Sequence, residues 1–81
     1  MRTIATIPHP EVRISVHQYN DKYLIELEGG SYRQTFKIST DAIGHVDELK
    51  ALCNEAFIQS CISRFRTMHA DFQASFQNLK S

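Results

Sequence analysis

The sequence predicts an α+β domain: a three-stranded antiparallel meander, with a candidate fourth strand at its N-terminal side, followed by a long C-terminal helix (β-β-β-α). Three observations carry this. From Val12 to Ile38, apolar and polar residues alternate with a period of two, broken at Asn20-Asp21 and Gly29-Gly30. From His45 onward there is neither Gly nor Pro. Over that second stretch Val46, Leu49, Cys53, Phe57, Cys61, Phe65, Met68, Phe72, Phe76 and Leu79 form one apolar stripe. Its mean step is about 3.67 residues, the period of one face of a nearly straight helix.

With 81 residues the chain makes a single small domain, residues 1–81. That is near the size at which one core gives little net stability. Residues 1–10 contain Thr3-Ile4-Ala5-Thr6-Ile7, then Pro8-His9-Pro10. The two prolines exclude a helix, so this segment is an edge strand or an arm.

The meander occupies 11–38. Val12, Ile14 and Val16 share one face of the first strand, and Tyr23, Ile25 and Leu27 share one face of the second. Asn20-Asp21 suits a tight hairpin turn and sets Val16 opposite Ile25 and Ile14 opposite Leu27. If Gly29-Gly30 is a second two-residue loop, Leu27 pairs with Tyr32 and Tyr23 with Phe36. Both turns place the apolar residues, Phe36 and Ile38 included, on one face. Arg13, Glu26, Glu28, Arg33 and Lys37 are then expected to be exposed. Arg13 falls opposite Glu28 and Glu26 opposite Arg33, two favourable cross-strand pairs.

Ser39 or Thr40 is placed to cap a single helical turn ended by Gly44. The main helix follows over 45–79, with Asp47 and Glu48 in its first turn. Such a helix is about 51 Å long against about 23 Å for a seven-residue strand. The sheet therefore covers only part of it. The stripe is widest between Leu52 and Ile62, where Leu52, Ala56, Ile58 and Ile62 flank it, and narrows beyond Met68. The first half of the helix is expected to face the sheet, and the second half to overhang.

Composition bounds the function. Nine basic and nine acidic residues leave no net charge, which argues against a strongly electrostatic partner. No run of residues is apolar enough for a membrane span, and no secretory leader is visible, so a cytoplasmic protein is expected. Cys53 and Cys61, eight residues apart on one helix face, are too distant to bridge and read as small core residues. His9, His17, His45 and His69 have no metal-ligand spacing, Gly29-Gly30 lacks phosphate-loop context, and no nucleophile–base order stands out. No metal, cofactor or enzymatic activity is expected.

Two functions remain. The first is a non-enzymatic protein-interaction or regulatory module acting as a homodimer through Phe65, Met68, Phe72, Phe76 and Leu79, the apolar residues on the second half of the helix. Residues 41–55 carry four acids against one base, and 64–81 three bases against one acid, so antiparallel helices would attract. The alternative is a nucleic-acid-binding module. It would use Arg13, Tyr19, Lys22, Arg33 and Lys37 on the open sheet face, with Arg64 and Arg66 on the helix.

Overall fold

The computed structural model describes residues 1–81. Four strands form one antiparallel sheet in sequence order: β1 (Arg2–Ile7), β2 (Arg13–Tyr19), β3 (Lys22–Gly29) and β4 (Tyr32–Ser39). A short 3₁₀ turn (Thr40–Ala42) leads into α1 (Val46–Leu52) and α2 (Glu55–Lys80). The N-terminal segment is thus a strand. It pairs with β2 through a bulge between Thr3 and Ala5, which lets Ile4, Ala5 and Ile7 all pack against the core.

The β2–β3 register is the one parity requires: Val16 opposite Ile25, Ile14 opposite Leu27, Arg13 opposite Glu28. The second hairpin differs. Its loop is Gly30-Ser31, not Gly29-Gly30, so Gly29 pairs with Tyr32, Leu27 with Gln34 and Ile25 with Phe36. Both turns place a left-handed residue first, Asn20 at φ 55° and Gly30 at φ 60°. Only residues tolerant of positive φ fit there. Gly29 stays in the strand for a different reason: a Cβ there would sit 3.3 Å from the Phe65 ring. Because the slip is two residues, no side chain changes face.

Ile14, Val16, Ile25 and Leu27 are fully buried on the inner face. Val12, Tyr23, Phe36 and Ile38 lie at its margins and are half-buried. Arg13, Arg33 and Lys37 are exposed on the outer face, whereas Glu26 and Glu28, expected to be exposed, are half-buried. Arg33 explains this. It reaches Glu28 at 3.3 Å and Glu26 at 3.7 Å, while His17 and Arg13 approach the same carboxylates from the other side.

Beyond the sheet, Ser39 caps the 3₁₀ turn, its Oγ accepting from the Asp41 N–H. His45 caps α1, with Nδ1 accepting from the Asp47 N–H at 3.1 Å. The single helix expected over 45–79 is two. Cys53 leaves helical geometry (φ −82°, ψ 53°), and Asn54 starts α2 with Oδ1 accepting from the Phe57 N–H at 2.9 Å. Asn is among the strongest N-caps and a poor interior helix residue, so the break falls where local chemistry favours it. Leu49 from α1 and Ile58, Cys61, Ile62 and Phe65 from α2 close the core, with Cys53 between them. Burial, and then the neighbouring Cys61, push the Cys53 thiol above its ordinary value.

Candidate interaction surface

α2 crosses the sheet and continues past it. Its 26 residues span about 39 Å, and the eight-residue strands beneath it about 27 Å. Polar contacts fix the crossing on the β4 side. Gln34, an inward-facing amide, donates from Nε2 to the Cys61 carbonyl at 2.8 Å and accepts from Arg64 Nε at 3.2 Å. Phe57 meets Phe36 edge to face, with ring centroids 5.2 Å apart. On the β1 side the buried His9 ring accepts the Glu11 N–H at Nδ1, and its Nε2 lies 3.2 Å from Glu55 Oε2. Hydrogen bonds from Gln59 and then His9 hold the Glu55 carboxyl below its ordinary value.

From His69 to the end of α2 every residue is exposed. Phe72 is 57% exposed, Phe76 41% and Leu79 78%. The Phe72 and Phe76 rings stack at 6.2 Å, and Lys80 Nζ lies 5.4 Å from the Phe76 centroid. At the base of this overhang the β3–β4 hairpin meets the helix. Tyr32 Oη is 3.0 Å from His69 Nδ1, and the Tyr32 ring stands edge-on to Phe72. An open hollow of about 540 Å³ lies there, walled by Gly29, Gly30, Ser31, Tyr32, His69, Phe72 and Gln73.

The five residues expected at a helix-mediated interface divide along this geometry. Phe65 is only 8% exposed and packs within its own chain. Met68 is half-buried at the edge of the core, and Phe72, Phe76 and Leu79 are exposed on the overhang, Phe72 with one edge against Tyr32. Tyr32 and His69, which build the base of the overhang, were not among the expected residues. The signal available in the sequence was the inward parity of Tyr32 and the position of His69 four residues beyond Phe65.

The seven residues considered for nucleic acid do not form one surface. Arg13, Tyr19, Lys22, Arg33 and Lys37 lie on the outer face of the sheet by strand parity. Arg64 and Arg66 lie on α2, across the opposite face. Arg13 and Arg33 face glutamates, and Arg64 is engaged with Gln34 and Cys61. The outer face also holds a polar row in which Thr3 Oγ1 is 2.9 Å from His17 Nδ1 and His17 Nε2 is 3.7 Å from Glu26. It resembles a hydroxyl–imidazole–carboxylate order, but the hollows at the sheet ends do not reach these three side chains. The four histidines serve four separate places, and no three His, Cys, Asp or Glu side chains converge. No helix is long and apolar enough to cross a membrane.

No family model, curated protein or solved structure matches the chain.

Proposed function

We propose that this chain is a non-enzymatic interaction module that works as a homodimer through the C-terminal half of α2. The observation that carries the reading is the row Phe72, Phe76 and Leu79, exposed on a helix that has run past its sheet. Contiguous apolar surface of this kind marks interfaces more often than idle surface. The shape agrees: the radius of gyration is 14.8 Å, against about 12 Å for a compact chain of this length. A point-symmetric pair is the commonest way for one patch to cover itself. A nucleic-acid reading has less support, because the outer-face arginines are paired with carboxylates and the basic residues are split between two faces.

Sedimentation equilibrium tests the proposal. The wild-type chain is expected to be a dimer at roughly tens of micromolar, the range where mass action favours a modest interface. Phe72→Asp is expected to be a monomer with unchanged secondary structure. A monomeric wild type at that concentration would end the proposal.

A further inference from the structure

The overhang carries information about how two copies meet. At 100° per residue, Phe72, Phe76 and Leu79 lie on the same helix stripe as the buried Ile58, Cys61 and Phe65. The apolar underside of the overhang therefore faces the level of the sheet, into the space beyond the β3–β4 hairpin. A second helix that fills this space lies under the overhang, and the hairpin stops it from sliding further.

The area argues for one occupant and one depth. At roughly 200 Å² per large side chain, the exposed parts of the three residues come to roughly 350 Å² per copy, or roughly 700 Å² for a pair. A standard interface buries about 1,600 Å², of which roughly 60%, near 950 Å², is apolar. Two overhangs touching only each other fall short. The hollow at the base of the overhang, with the Tyr32 ring, Gly30 and the carbons of His69, adds apolar surface to the pair if the partner's helix tip reaches it.

Resting on the homodimer reading, we infer that two copies pair as an antiparallel two-fold dimer centred near Ser75–Phe76. In it the tip of each α2, Leu79 and Lys80, seats in the partner's hollow between the Gly30-Ser31 loop, Tyr32 and His69. Phe72 of one copy then meets Leu79 of the other, and the two Phe76 rings meet near the axis. The hairpin acts as a stop that fixes the register, which a bare helix pair lacks. Phe65, buried in its own chain, takes no part.

Disulfide trapping under mild oxidation tests this arrangement, because Cys53 and Cys61 are buried and only introduced thiols are accessible. Ser75→Cys, a near-isosteric change at an exposed position on the flank of the stripe beside the axis, is expected to be trapped as a covalent dimer by a short bis-maleimide cross-linker, which spans a flank-to-flank gap wider than a disulfide reaches. Ser31→Cys with Lys80→Cys is expected to trap one through tip and hairpin. Neither single variant of that pair is. Within one chain Lys80 lies about 16 Å beyond His69, and across the dimer the two Lys80 positions are about 14 Å apart. Both exceed the reach of a disulfide, about 7 Å between Cα atoms. The double variant is expected to exceed Lys80→Cys alone by at least about tenfold in yield, since the single variant has no partner thiol in reach.

Efficient trapping by Lys80→Cys alone would mean parallel tips and would overturn the inference. So would a dimer in sedimentation that neither Ser75→Cys nor the double variant traps, and that outcome leaves the homodimer itself standing. A monomeric wild type removes the homodimer and this arrangement together.

Discussion

Phe65 and Phe76 are the same residue on the same stripe of the same helix, eleven positions apart, and they live in different environments. Phe65 packs on Gly29 and is 8% exposed; Phe76 is 41% exposed and touches little beyond Phe72 and Lys80. The first half of α2 is held by burial, by Asn54 at its start and by Gln34 and Arg64 along its side. The second half is held at its base by Tyr32, which meets His69 and Phe72, and beyond that by helix propensity and its own i, i+4 contacts. Sequence periodicity gives a helix its face, but only the tertiary neighbours decide whether that face is spent on the chain's own core.

The sharpest way to break this contrast is to delete both rings. Phe65→Ala is expected to cost about 3–5 kcal/mol in urea unfolding, combining lost burial with a cavity. Phe76→Ala, measured at low protein concentration, is expected to cost about 1 kcal/mol or less. Equal losses would mean that the overhang is packed on its own core, and the distinction would vanish.

A smaller effect isolates the start of α2. Asn54→Ala is expected to cost about 1 kcal/mol, because the Phe57 N–H loses its acceptor. Amide exchange should quicken in the first turn of α2 and stay unchanged in 69–80. A uniform rise along the helix would show that the two halves open as one unit.

The smallest effect is electrostatic. The Glu55 carboxyl is lowered from an ordinary value of 4.5 by Gln59 and His9. A depressed folded value means that its contribution is full above the unfolded value and is lost as the pH falls through the folded one. Stability of the wild type should therefore fall below about pH 4.5 with a component that Glu55→Gln lacks. Matching pH profiles for the two proteins would remove the His9–Glu55 contact from the forces that hold the near half.

Much of this fold was legible because two periods dominate the sequence. Alternation of Ile14 and Val16, then Ile25 and Leu27, fixed both faces of the meander, and a one-residue shift of the second loop, which slips the register by two, left those faces intact. The break at Cys53-Asn54 was hidden by the same regularity. Leu49, Cys53 and Phe57 keep steps of four because α1 and α2 face one core, so the stripe runs through the break in phase. Asn54 alone marked it, through a cap that competes with helix continuation. At the site, the overhang followed from length alone, but the burial of Phe65 and the roles of Tyr32 and His69 did not. They depend on where a hairpin residue and a helix residue more than thirty positions apart come together.

The order β1-β2-β3-β4 has a bearing on how the chain is made. Every strand pairs with its immediate neighbour in sequence, and two of the three connections are two-residue loops. Such local pairing forms quickly, a hairpin closing in about 1–10 μs. The cover for Ile14, Val16, Ile25 and Leu27 comes from residues 49–65. Translation at about 5–20 residues per second delivers those residues one to several seconds after the last strand. A sheet that closes before those residues are free to dock shows an open oily face, a species attractive to chaperones and to other unfolded chains.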